Sequence, residues 1–177
     1  VQLTEAERMV YATAEQSDKY RLAATTPTKT KVVRKIMEMH PDEPTLIIGA
    51  YIDQLEEIAG ELDVPVIDGK TGNAKREKLY QQFRDGELQT LVVSKVANFS
   101  IDLPGASVAI QISGTFGSRQ EEAQRLGRIL RPKPDGGGAF FYSIVARDTL
   151  DADYAAHRQR FLAEQGYGYR IVDSFDL

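Results

Sequence analysis

Thr45-Leu46-Ile47-Ile48-Gly49-Ala50 is a short apolar, β-branched run, followed by a helix-period segment over residues 51–62 and a second short run, Val64-Pro65-Val66-Ile67. A strand apolar at nearly every position suits a sheet buried on both faces. Strand, helix and strand in this spacing form a β-α-β unit with parallel strands. The same alternation continues outward. A helix over 74–84, closed near Gly86, precedes a strand over 89–94. After Leu103-Pro104-Gly105 come a strand over 107–112, a helix over 119–130, a turn over 135–138 and a strand over 139–145. Upstream, Thr4-x-x-Glu7 caps a helix over 5–24, and Thr26-Pro27 opens a second that carries Val32, Val33, Ile36 and Met37 on one face. Downstream, an amphipathic helix over 148–165 stops at Gly166, and Tyr169–Val172 reads as one last strand. The fold class is α/β, a mostly parallel sheet of about five or six strands with helices on both faces.

A length of 177 residues points to one compact domain, or one domain with an appended helix. With 42% hydrophobic and 27% charged residues, disorder and fibrous folds are excluded. The net charge of −4 confines any nucleic-acid surface to a local patch. There is no Cys, and the two His, His40 and His157, are far apart, which excludes disulfides and Cys nucleophiles and argues against a transition-metal centre. His40 ends a helix, where the dipole favours it without any ligand, and His157 reads as part of a solvated helix face. The longest apolar runs, 90–93 and 139–146, are far below the ~20 residues that cross a bilayer, and no leader pattern opens the chain. The expectation is a soluble, cytoplasmic protein without a membrane partner. Its start at Val1, with a helix almost at once, reads as a piece of a longer chain.

Phosphate loops are missing. Gly69-Lys70-Thr71 resembles the tail of G-x-x-x-x-G-K-[ST], but the first glycine position is Val64. Gly136 and Gly138 would need a third glycine where Phe141 stands, and Asp42-Glu43 precedes a strand where a metal-binding acid should end one. The chain is therefore not an independent nucleotide hydrolase. The strongest signal is Gln124-Arg125-Leu126-Gly127-Arg128-Ile129-Leu130-Arg131. On a helix Gln124, Arg128 and Arg131 share one face while Ala123, Leu126 and Leu130 point to the sheet, and Gly127 costs ~1 kcal/mol relative to Ala unless something packs closely there. Charge alone also fits a solvated basic face.

This octet resembles motif VI of superfamily-2 helicases, Q-R-x-G-R-x-x-R. Other motifs stand upstream in the same order. Ser94-Lys95-Val96-Ala97-Asn98-Phe99-Ser100-Ile101-Asp102-Leu103-Pro104 resembles motif V, Thr45 to Ala50 resembles motif IV, and Asp68-Gly69-Lys70-Thr71 with Arg76 resembles the neighbouring backbone-contacting motif. Ile101-Asp-Leu-Pro104, Ala109-Ile-Gln-Ile-Ser113 and Glu122 to Arg131 are most similar to the XPB repair and transcription helicases, in a prokaryotic version. One departure is Phe99-Ser100 where the superfamily commonly has Arg-Gly.

The resemblance implies a RecA-like three-layer sandwich, the second of two motor domains in a DNA helicase or translocase. Residues 1–40 would be linker and lead-in helices, 41–147 the motor domain and 148–177 a C-terminal helix and extension. Arg128 and Arg131 would be arginine fingers, and Asp102, Gln124 and Arg125 would face the nucleotide. Thr71, Arg76, Ser94 and Lys95 would meet the DNA backbone from strand ends and the loops after them. ATP and Mg²⁺ would be held mainly by a Walker-bearing motor domain earlier in the same protein, and this chain alone would bind neither. Single-stranded or forked DNA is the expected partner, with a repair nuclease or a transcription-repair assembly beside it. Guanidinium suits such a half-site, because it stays charged and presents a rigid fork of donors to developing phosphate charge.

Two other classes compete. A non-catalytic α/β module would use the basic helix as a docking surface, and a free-standing transferase or hydrolase lacks any nucleophile–base pair here. Tyr51, Tyr80, Phe83, Phe140, Phe141 and Tyr142 fall at core spacing, which favours packing over base stacking. Tyr167 and Tyr169 around Gly168 form a candidate docking patch.

Overall fold

A computed structural model describes residues 1–94, 105–114, 138–164, 166 and 168–177. The sequence-predicted helix over 119–130, most of the motif V loop and Tyr167 lie outside the described residues. The elements in chain order are α1 (Glu5–Thr13), α2 (Gln16–Ala24), α3 (Thr28–Met39), β1 (Thr45–Gly49), α4 (Ile52–Leu62), β2 (Val66–Ile67), α5 (Asn73–Arg84), β3 (Thr90–Ser94), β4 (Val108–Gln111), β5 (Phe140–Ser143) and α6 (Leu150–Glu164).

Among the described residues five strands form one parallel sheet in the order β2-β3-β1-β4-β5. β1 is central, with Thr45 in register with Thr90 on one side and Val108 on the other. Because successive strand residues face opposite ways, Leu46 and Ile48 pack with Leu79, Tyr80 and Phe83 of α5, whereas Ile47 packs with Val33 and Ile36 of α3 and Leu55 and Ile58 of α4. The result is three layers, helix on sheet on helix. All five β1 positions are buried, as its apolar run requires. Among the described residues no helix is long and apolar enough to cross a membrane.

Three expectations need correction. The helix expected over 5–24 is two helices, broken where Ala14 and Glu15 adopt extended backbone. α1 buries no residue, while α2 buries Tyr20, Ala23 and Ala24, so one straight helix could not serve both positions. The Thr4–Glu7 capping box is present, and Glu7 also accepts bonds from Thr26 Oγ1 (2.5 Å) and Thr28 N (3.2 Å), fastening α1 to the start of α3. Residues 169–172 are not a strand. The tail is held by Lys35 Nζ on Ser174 O (3.1 Å) and by Arg147 with Asp173 (3.2 Å), leaving Ile171 75% exposed. Phe140 is no core residue either, being 46% exposed at the sheet edge with its ring 4.8 Å from His40. His40 bonds Tyr142 Oη (2.6 Å) and stands 3.6 Å from Glu43, and His157 is exposed on α6 as expected. Just past the end of α6 at Glu164, Gly166 has a φ of +87°, which a residue with Cβ adopts only with strain.

Candidate functional site

Parallel strands put all their carboxyl ends on one edge, and the described part of the site lies there. Ser94 closes β3 opposite Gly49 and is 1% exposed. Residues 68–71 turn out of β2. Asp68 Oδ1 accepts from the Thr71 hydroxyl (2.9 Å) and from Lys70 N (2.9 Å), while Asp68 N donates to Thr71 Oγ1 (3.0 Å). The Thr71 bond, reinforced by that from Lys70 N, holds the Asp68 carboxyl below the usual carboxylate range. Thr71 Oγ1 thus stabilises the turn as well as lying at the edge.

The turn delivers the chain into α5 through Gly72, which offers no side-chain cap, and no acidic residue occupies the first turn of α5. Its leading amides and the positive end of its dipole therefore favour an anion. Arg76 belongs to this helix, within the span expected over 74–84, and reaches back from its first turn. It is 8% exposed, donates Nη2 to Thr71 O (3.0 Å), and its Nε has no hydrogen-bond partner. The helix places it there because α5 needs four residues to rise one turn beyond Gly72, whose carbonyl accepts from Arg76 N (3.0 Å). Turn, amides and guanidinium together suit phosphate oxygens.

Beyond β1, Arg21 of α2 pairs with Asp53 (2.6 Å) and lies 5.4 Å from the Tyr51 ring centroid. Both ions are exposed, so the pair contributes little. Tyr51 is half-buried on this edge, and burial pushes its phenol up. Of the sequence-predicted site residues, Thr71, Arg76 and Ser94 are brought to the same edge. Lys95, Asp102, Gln124, Arg125, Arg128 and Arg131 lie outside the described residues.

Sequence reasoning missed a buried polar group at the end of β4. Lys29 Nζ, fully buried, donates to Asp151 Oδ2 (2.7 Å) and Ile112 O (2.7 Å), and Asp151 also accepts from Ala146 N (2.9 Å). Burial pushes the Lys29 ammonium down while Asp151 opposes it. Tyr20 Oη donates to Gly114 O (2.6 Å), its ring set edge-on to Tyr154 at 5.0 Å. One signal was available: Lys29 continues the buried stripe of Val32, Val33 and Ile36, a charge at a core position of an amphipathic helix.

Residues 2–176 match the family model described as ERCC3/RAD25/XPB C-terminal helicase. The chain is 68% identical over its whole length to the DNA 3'-5' helicase XPB of Mycobacterium tuberculosis, covering 32% of that protein. It is 38% identical over 92% of its length to a Drosophila melanogaster protein named General transcription and DNA repair factor IIH helicase/translocase subunit XPB, covering 21% of it. The chain spans about a third of the length of the bacterial curated relatives it matches. Its fold is similar to the C-terminal domain of the DEAD-box protein Dbp5, with a TM-score of 0.64 over 77% of this chain and 79% of that one at 17% identity, a RecA-like α/β sandwich. By the match along nearly all of its length, this chain belongs to the ERCC3/RAD25/XPB C-terminal helicase family.

Proposed function

We propose that this chain is the second motor domain of an ATP-dependent DNA helicase and translocase, with residues 41–147 as the domain proper, 1–40 as lead-in helices and 148–177 as its C-terminal extension. The observation that carries the reading is the carboxyl edge of the sheet, where the 68–71 turn, the uncapped start of α5, Arg76 and Ser94 gather beside one another. In this reading the backbone of single-stranded or forked DNA lies along that edge, met by Thr71, Arg76, Ser94 and Lys95 without sequence preference. Asp102, Gln124 and Arg125 face the nucleotide, and Arg128 and Arg131 bring guanidinium to its phosphates. ATP with Mg²⁺ is the substrate, held mainly by a Walker-bearing motor domain earlier in the same protein, so domain closure couples hydrolysis to movement along the strand. The bacterial relatives' names give 3'-5' polarity, which we carry to this protein. DNA repair is its setting, in the cytoplasm at the nucleoid, with a repair nuclease or a transcription-repair assembly as partner.

The test is DNA-stimulated ATP turnover by the full-length protein. Arg128→Ala or Arg131→Ala should lower kcat by about 10³–10⁵ while ATP binding stays near that of the parent. Lys at either position should restore little, lacking the fork. Residues 1–177 alone should hydrolyse no ATP above the buffer rate. An Arg128→Ala protein within a few-fold of parent turnover, with weakened protein-partner binding, would replace the motor reading by a docking surface.

A further inference from the structure

The edge between β1 and β4 ends in an unusual way. In a parallel ladder the rung after Ile112 N to Ile48 O (2.9 Å) would run from Ala50 N to Ile112 O. Ala50 N instead donates to Ser113 Oγ (2.8 Å), and the released Ile112 carbonyl is taken by Lys29 Nζ. Two residues on, the Gly114 carbonyl is taken by Tyr20 Oη, and the Arg158 guanidinium of α6 packs so closely on Gly114 that a Cβ there would stand 2.6 Å from Nη1. Side chains of α2, α3 and α6 thus grip the chain as it leaves β4, ten residues before Gln124.

Stability alone does not explain why a charged pair serves here. Removing two charges from water costs several kcal/mol, and apolar residues of similar volume often serve a buried site as well or better. What an ammonium and a hydroxyl supply, and apolar side chains do not, is direction: each fixes one carbonyl at hydrogen-bond geometry. We propose that Lys29, held by Asp151 and seconded by Tyr20, is a positioning residue for ATP hydrolysis, setting the path of residues 112–114 from which the arginine-bearing segment is reached. The inference rests on the motor reading above. It makes the lead-in helices and α6 part of the catalytic geometry, although none of these three residues touches the nucleotide.

The experiment uses the full-length protein with Lys29→Met/Asp151→Asn, which removes both charges and keeps an acceptor for Ala146 N, and Tyr20→Phe, which deletes one hydroxyl. DNA-stimulated turnover is measured against ATP concentration beside thermal melting. Assayed below its own melting temperature, the double variant should lose about 10- to 100-fold in kcat with KM for ATP little changed, as expected for a small misplacement of reacting groups, and Tyr20→Phe should lose a few-fold. In an Arg128→Ala background the double variant should cause a smaller loss than in the parent, because part of its effect passes through Arg128. Parent-like kcat in both variants would overturn the proposal, as would an equal loss in the Arg128→Ala background, which marks general destabilisation. If the double variant fails to fold, Tyr20→Phe decides alone. Retention of turnover by Arg128→Ala itself would refute the motor reading, and this inference with it.

Discussion

Gly49 stands where β1, α4 and β4 come closest, and Gly49→Ala is a sharp probe of that packing. A Cβ at this position would lie 2.9 Å from Leu55 Cδ2, 3.0 Å from Ile112 Cγ1 and 3.0 Å from Ser113 Oγ. Ordinary carbon contacts sit near ~3.5–4.0 Å, so each neighbour would have to retreat by about half an ångström. None has room: Leu55 and Ile112 are fully buried, and Ser113 Oγ is tied to Ala50 N. Overpacking of this kind costs about 1–3 kcal/mol, offset by roughly 0.4–1 kcal/mol from the stiffer unfolded chain, which leaves about 1–2 kcal/mol of net loss. For a domain of this size that corresponds to a fall in Tm of about 2–8 °C. Gly60 supplies the opposite case, since it lies exposed in α4 with nothing within 4 Å of a Cβ. Gly60→Ala should gain about 0.5–1 kcal/mol from helix propensity and raise Tm by about 1–4 °C. Parallel thermal melts followed by circular dichroism read both. A Gly49→Ala protein melting at or above the parent would refute the close approach of these three elements.

Tyr80 is fully buried and its hydroxyl has no hydrogen-bond partner, so Tyr80→Phe should leave stability unchanged or raise it by up to about 1 kcal/mol in urea unfolding; a clear loss would mean the hydroxyl is paired. At Glu7, partial burial pushes the carboxyl up, but bonds from Thr26, Thr4 and Thr28 outweigh it and bring it down to about 2. A depressed folded-state value means stability that is full above the unfolded value near 4.5 and is lost as pH falls towards 2, so the gap in Tm between parent and Glu7→Gln should close across that window and stay constant above pH 6. Arg76→Ala should weaken binding of two unrelated single-stranded oligonucleotides equally and reduce the log affinity against log salt slope by about one, whereas loss on only one sequence would indicate base readout.

The sheet was legible because its strands are short runs such as Leu46-Ile47-Ile48 and Leu91-Val92-Val93, buried on both sides and separated by periodic helices. The break at Ala14 and Glu15 was not, since both are good helix formers and the extended backbone there is imposed by distant contacts, Tyr20 to Gly114 and Glu7 to Thr26. Tyr169–Val172 has strand-like residues, yet pairing is decided by where Lys35 and Arg147 anchor the tail. At the site, Thr71 and Ser94 fall at the edge their spacing suggested. Arg76 falls inside the helix expected over 74–84, which begins one residue earlier, at Asn73 after the uncapped Gly72. Lys29 and Asp151 are 122 residues apart, and no local pattern links them.

The strand order also sets a timetable for synthesis. β1 occupies the middle of the sheet but emerges first, and its neighbour Thr90 is made 45 residues after Thr45, its other neighbour Val108 later still. At about 5–20 residues per second the ribosome leaves β1 and α4 without their partners for roughly 2–9 s, their apolar faces open to chaperones or to other nascent chains. Lys29 and Tyr20 wait longer, because Asp151 and Tyr154, which close over them, are made 122 and 134 residues after them. Assembly of the sheet therefore runs from the middle outward, and the buried Lys29 and Tyr20 gain their distant partners only once α6 has been made.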